Sequence, residues 1–288
     1  MNDPGVSSSD VLSLAEVVAA IESLYDPAWA AEWDAVGLVT GDPAQDVRRI
    51  VLAVDPAPAV VAEAVEWGAD LIVTHHPLLL RGVHTVATTH PKGRTVNALV
   101  RNGIGLYVAH TNADVADPGV SDALATAIGL TDLRPLVPDA SDPRRGLGRV
   151  GRWLAAGTLR ELADAVAAGL PATRGGVRVG GDLDRVVRSV AVCGGAGDDL
   201  FDDVRAAGVD VYVTSDLRHH PAAEALEHGS PALVDVSHWA GEWPWLADCE
   251  RRLRETLGSR ADTVEARVST LVTDPWAVAV PSPARSTP

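Results

Sequence analysis

Apolar and polar positions alternate along most of this chain in a rhythm that predicts strands followed by helices. Leu12, Leu14, Val17, Val18, Ile21 and Leu24 recur at helical spacing, so a helix is expected over 12–25. A turn-rich segment from Glu32 to Pro43 leaves room for a short strand. Residues 49–55 and 71–74 are apolar runs that read as buried strands, with a helix over 57–67 between them. A helix over 94–102 closed by Gly103 and a third strand over 104–109 follow. Asp117-Pro118 has the form of a helix cap followed by proline at the first helical position, predicting a helix to Gly129. Residues 131–147 are rich in proline and charge and read as a connection between domains. Beyond them come a strand over 149–156, a helix over 158–170 opened by a Thr158/Glu161 capping box, and a short strand over 177–180. The rhythm then resumes. Strands are expected at 186–193, 210–214 and 233–236, and helices at 198–207, 221–228 and 244–257. Residues 264–272 suggest an antiparallel edge strand, and residues 1–10 and 280–288 read as loose tails.

This alternation predicts an α/β fold of parallel sheets with right-handed crossovers. The two halves repeat one architecture without a residue-level repeat. Ligands of such sheets collect outside the carboxyl ends of the strands. Three successive strands of the first half end in polar clusters there: Asp55, then His75-His76-Pro77, then His110 with Asp114. In the second half the corresponding clusters are Gly194–Gly197, Ser215-Asp216, and His238 with Glu242. Neutral imidazoles and carboxylates suit divalent metals, and the three histidine-bearing pieces are expected to converge on a two-metal site.

Each piece also has a plainer reading. Neighbouring residues on a strand point to opposite faces, so His75 and His76 serve one cleft only if the chain turns at the strand end. Asp114 suits an Asx turn, and Glu242 suits a helix N-terminus. Gly194–Gly197 with Asp198 has the form of an anion nest, though glycine turns at strand–helix junctions are common. The segment Thr214–His220 fits a pocket wall, with His220 packed at a helix start. His84, His90 and His228 lack comparable surroundings and read as surface residues.

Composition narrows the classes. At 288 residues, one large or two modest α/β domains are expected. Hydrophobic residues make up 47% and mean hydropathy is +0.09, which fits a buried, mostly aliphatic core, Phe201 being the sole phenylalanine. A formal net charge of −15 repels phosphate backbones and anionic membranes, weighing against nucleic acid and membrane partners. Cys193 and Cys249 lack a CxxC spacing and read as buried free thiols in a reducing compartment. There is no signal-peptide pattern and no apolar run near the ~18 residues of a membrane helix, so a cytoplasmic location is expected.

The order and spacing of the motifs resemble those of the Nif-three-like dinuclear metal-centre family, often labelled GTP cyclohydrolase 1 type 2. The likeness runs from about Leu14 to Trp276. It rests on Trp33-Asp34-x-Val-Gly37-Leu, Val54-Asp55-Pro56, Thr74-His75-His76-Pro77, His110-Thr111-Asn112-x-Asp114 and Cys193-Gly194-Gly195-Ala196-Gly197. It rests further on Val213-Thr214-x-Asp216-Leu-x-x-His220, His238-x-x-x-Glu242 and Thr273-Asp274-Pro275-Trp276. The resemblance implies two interlocked α/β domains with mainly parallel sheets, the second inserted into the first. A metal-binding domain would comprise 1–130 plus 233–288, and the insert 131–232. It implies His75, His76, Asp114, His238 and Glu242 as ligands of two divalent ions (iron, zinc, manganese or nickel). His110 would stand beside them as supporting residue or proton shuttle. It also implies a homohexamer and lacks room here for the extra middle domain of larger members. Ala35, Ser215, Ser237 and Gly241 depart from the usual pattern, which affects the pocket and not the ligands.

The expected function is a dinuclear metal-dependent hydrolase. Its small-molecule substrate would be nucleotide-like or a phosphoester or cyclic amidine. The alternative is a non-catalytic hexameric metal-binding, metal-chaperone or regulatory scaffold protein.

Overall fold

A computed structural model describes residues 11–229 and 231–280; the expected tails fall almost wholly outside them. The first half runs β1 (Leu12–Ser13), α1 (Leu14–Leu24), β2 (Gly37–Thr40), β3 (Asp46–Val47), β4 (Arg49–Ala53), α2 (Pro58–Trp67) and β5 (Leu71–Thr74). It continues with α3 (Pro91–Arg101), β6 (Gly105–Val108), α4 (Thr111–Asp114) and α5 (Val120–Ala127). The second half holds β7 (Leu130–Pro138), β8 (Gly146–Thr158), α6 (Leu159–Gly169), β9 (Arg178–Gly180), β10 (Val186–Ala196) and α7 (Phe201–Ala207). Then come β11 (Val211–Ser215), α8 (His219–Glu227), β12 (Ala232–Val236), α9 (His238–Glu242), α10 (Pro244–Leu257) and β13 (Glu265–Val268).

The strands form two main sheets. One has the order β13-β4-β5-β6-β2, parallel except where β2 meets β6. Its strands β4 and β5 are apolar on both faces because helices cover both, as parallel sheets require. The other has the order β7-β8-β10-β11-β12-β9. Its centre, β10-β11-β12, is parallel, and its flanks are antiparallel. The largest buried cluster joins α1 (Leu14, Val17, Ile21), α5 (Val120, Leu124), α6 (Leu159, Leu162, Val166) and α10 (Trp245, Leu246, Leu253) to both sheets. Neither sheet therefore owns a separate core on its inner face. The outer faces are covered by α2 and α3 in one case, and by α7 and α8 in the other.

Several expectations change. Residues 131–147 are not a free connection: most form the edge strand β7 and its hairpin with β8. Pro135 and Pro138 fit there because an edge strand has amides that need no partner. The helix expected from Pro118 begins at Val120, with the Asp122 carboxylate accepting from Gly119 N–H at 2.7 Å. The edge strand β13 is parallel to β4, because α10 carries the chain back across the sheet before it pairs. Position 233, taken as the return point into the first domain, falls inside β12, whose pairing with β11 and β9 puts it in the second sheet. His220 is exposed. Thr158 and Glu161 do form the expected capping box.

Candidate metal centre

The strand ends of the two sheets face one cleft, and all six expected site residues stand just after them or one turn beyond. At the end of β5 the chain bends. His75 N–H donates to the Ala53 carbonyl at 3.2 Å and His76 N–H to the Val54 carbonyl at 2.8 Å, while Thr74 Oγ1 bonds the His76 carbonyl at 2.9 Å. That bend turns both rings the same way, with centroids 5.2 Å apart, and answers the objection that strand neighbours diverge. After β6, His110 precedes the single turn of α4, whose Asp114 N–H returns to the His110 carbonyl at 3.1 Å. After β12, His238 and Glu242 are the first and last residues of α9, so one turn brings His238 Nε2 within 2.9 Å of Glu242 Oε1.

The side chains meet around Glu242, which is almost fully buried. His75 Nε2 lies 3.4 Å from its Oε1 and 3.6 Å from Asp114 Oδ1, and His76 Nε2 lies 3.1 Å from Glu242 Oε2. The candidate ligand atoms of His75, His76 and His110 lie within 4.8 Å of one another, as do those of His76, His238 and Glu242. Two overlapping groups sharing His76 are what a pair of neighbouring ions needs.

The far side of every ring is tied down. His75 Nδ1 donates to the Ala109 carbonyl at 2.9 Å; a carbonyl only accepts, so this nitrogen carries the proton. His76 Nδ1 meets Asp55 at 2.7 Å, His110 Nδ1 meets Asp34 at 2.8 Å, and His238 Nδ1 meets Asp216 at 2.7 Å. Each bond favours the tautomer whose Nε2 lone pair faces the cleft, the arrangement by which proteins orient metal-bound imidazoles. Asp55 is itself held by Thr273, and Asp34 by Thr111 N–H at 3.0 Å and Thr111 Oγ1 at 2.6 Å. The His75 ring packs on Trp245, whose indole N–H donates to Tyr25 at 3.1 Å.

With no cation in the cleft, the surrounding carboxylates draw protons onto the same imidazoles. Burial disfavours the imidazolium of His76, but Glu242 and Asp55 outweigh it and raise the pKa to about 11. Burial likewise opposes His238, yet Glu242 and Asp216 carry it to about 9, and the same contest raises His75. Burial raises Asp114 to about 6, with His75 opposing and Glu242 adding to the rise. Burial would raise Glu242, but the three histidines around it hold it well below the usual carboxylate range. His110 differs: burial and the neighbouring His75 lower its pKa against the pull of Asp34, so it stands neutral near pH 7.

Whether these residues fit metal ions is decided by two buried atoms. His75 Nε2 and Glu242 Oε2 are buried and, although each lies near an oppositely charged neighbour, neither makes an aligned hydrogen bond with any described residue. Leaving such atoms without a partner is costly, and a cation is the partner that satisfies a lone pair on each. The donor set of imidazoles and carboxylates suits iron, zinc, manganese or nickel alike.

The glycine turn has a different task from the anion nest suggested by its sequence. Gly195 has φ +77°, and a Cβ there would sit 2.6 Å from Glu242 Oε1 and 3.2 Å from His238 Nε2. A side chain at Gly197 would strike Tyr212 and Thr214, and Asp198 and Asp199 follow in the first turn. The missing side chains allow the backbone to approach the candidate ligands closely. Among the residues that matter here, Asp34, Asp55, Asp216 and Thr273 all lie in the motifs quoted above. Their spacing alone does not pair them with particular histidines. The Ala109 carbonyl left no sequence signal at all.

A cavity of about 680 Å³ opens from His76 and His238 and is walled in part by Asp216, Asp274, Trp276 and Arg178. No helix among the described residues is long and apolar enough to cross a membrane. Cys193 and Cys249 are buried free thiols.

Known proteins resemble the chain over nearly its whole length. A Streptomyces coelicolor protein named GTP cyclohydrolase 1 type 2 homolog is 55% identical over 271 residues, spanning 93% of this chain and 95% of its own. A Mycobacterium tuberculosis protein of the same name is 37% identical over 369 aligned positions, covering 91% of this chain and 96% of that one. That alignment is longer than this chain, so the relative carries inserted residues. The crystal structure of a Bacillus cereus protein related to NIF3 superposes with a TM-score of 0.87 at 26% identity, covering 93% of this chain and 100% of that one. The sequence profile described as Duf34/NIF3 (NGG1p interacting factor 3) matches residues 12–275, and the chain belongs to that family.

Proposed function

We propose that the protein is a dinuclear metal-dependent hydrolase acting on a small nucleotide-like, phosphoester or cyclic amidine substrate. The observation that carries this reading is the cluster of Nε2 atoms and carboxylates in which each Nδ1 is anchored behind the cleft. Under this reading His75, His76, Asp114, His238 and Glu242 hold the ions. Bound divalent ions supply Lewis-acid polarisation and a nucleophile from water near neutral pH. The chain's own residues do the rest. Asp34 fixes His110 with its Nε2 toward the cleft, and its lowered pKa leaves it free to accept a proton there and later return it. Trp33, exposed and edge-on to His110 at 5.9 Å, and Trp276 in the cavity wall offer flat faces to a ring-bearing substrate.

The name shared by the relatives suggests GTP, and the cavity is large enough for a nucleotide-sized molecule. We extend the proposal to a cytoplasmic homohexamer, for which exposed apolar side chains such as Leu154 and Val100 would serve as contacts. The test is a panel of nucleotides, phosphoesters and cyclic amidines offered to metal-reconstituted protein. Turnover that vanishes in Glu242→Ala supports the hydrolase. Two tightly held ions with no turnover of any compound would replace it with the metal-binding or scaffold reading.

A further inference from the structure

We propose that Arg178 is a specificity-determining residue of this cavity, taking an anionic group of the substrate remote from the bond that meets the histidines. The inference rests on the hydrolase reading for where the reacting end lies. Arg178 is the only arginine or lysine among the described residues that line the cavity, where it faces four aspartates. Those four carboxylates are already committed within the protein. Asp55 holds His76 and Thr273, and Asp216 holds His238. Asp274 accepts from Ser237 Oγ at 2.6 Å, and Asp235 accepts from Leu217 N–H at 3.1 Å through one oxygen and from Arg178 through the other. Each of the four thus has at least one oxygen engaged within the protein, Asp274 Oδ2 being buried without a partner, and Arg178 is the one cation set among them.

The guanidinium is posed for recognition. Arg178 lies on the edge strand β9, directly opposite Asp235 of β12. Its Nε and Nη2 both donate to the single oxygen Oδ2 of Asp235, Nε at 2.7 Å. Asp235 is nearly buried and fixed from behind by Leu217 N–H, whereas the Arg178 side chain is 71% exposed. The fork is therefore held by one edge, and Nη1 has no partner among the described residues. A planar, oriented guanidinium with an unused edge is the group proteins use for phosphate and carboxylate. A cross-strand ion pair for stability alone would need neither the cavity nor the free edge. Either a phosphate or a carboxylate satisfies this chemistry.

The test uses the metal-loaded full chain and three probes: hexyl phosphate, and the same chain ending in a second phosphate or in a carboxylate. Binding is read by calorimetry. The wild type should bind at least one two-ended probe about ten-fold or more tightly than hexyl phosphate. Which end group gives the larger gain separates phosphate from carboxylate. Arg178→Met should abolish that gain while leaving hexyl phosphate affinity and metal content unchanged. Should Asp235, left unpaired, impair folding, Arg178→Met/Asp235→Asn removes both charges and should show the same loss. No gain in the wild type, or a gain that survives both variants, overturns the proposal. Because binding and not turnover is measured, a gain that depends on Arg178 in a protein without hydrolysis would sink the hydrolase alone.

Discussion

Glu242 is the residue on which the cluster turns: three imidazoles point at one buried carboxylate held by a single helical turn. Replacing it with alanine should cost at least one ion per chain by elemental analysis, and Asp114→Ala should do the same. Full occupancy in both variants would remove them as ligands. His110→Ala should keep the ions but lower hydrolysis roughly 100- to 10,000-fold, the usual worth of a general acid–base group. Asp34→Asn should act in the same direction, since it weakens the hold on the His110 ring. The pH dependence of the metal-free protein follows from the raised pKa values of His238, about 9, and His76, about 11. A raised pKa means that the folded state binds the extra proton. The stability these groups contribute is complete below their unfolded value of about 6.5 and is lost as pH rises through 9 and then 11. Thermal unfolding of chelator-treated protein should therefore show a falling melting temperature from pH 7 to pH 10, and metal loading should release protons and weaken in acid. A melting temperature that climbs over that range would show that the histidines are not held charged by Glu242.

At the scale of elements, the strand ends decide what can meet. Gly195→Ala should lower metal content, because its Cβ would enter the space of Glu242 and His238 and its φ is unfavourable to alanine. Trp153→Ala, by contrast, removes a ring from the shared core between β8 and its neighbours. It should destabilise the fold by about 3–5 kcal/mol and leave ions per folded chain unchanged, measured by denaturation and elemental analysis. This contrast also shows what the sequence could disclose. Helices announced themselves through local signals such as the Thr158/Glu161 box and the Pro244 start, and the central strands through unbroken apolar runs. The edge strand β7 did not, because an edge tolerates prolines, and β13 was legible as an edge strand but not in its direction, which depends on a partner far away in the chain. The six candidate residues could be picked out because three polar clusters recur at strand ends. The carboxylate behind each histidine could not be assigned, since those pairs join residues 21, 22 and 76 positions apart.

At the scale of the whole molecule, two sheets share one inner core and bring their carboxyl ends to one cleft. Unfolding should accordingly be a single transition with coincident far-ultraviolet and tryptophan signals; two separated transitions would show that the sheets fold as independent units. This shared cleft is proposed to hold a pair of cations. The most direct measurement is a titration of chelator-stripped wild-type protein with zinc or manganese, counting tightly bound equivalents per chain. Two equivalents are expected. Saturation at one equivalent or fewer, or the same two in Glu242→Ala, would contradict the proposal.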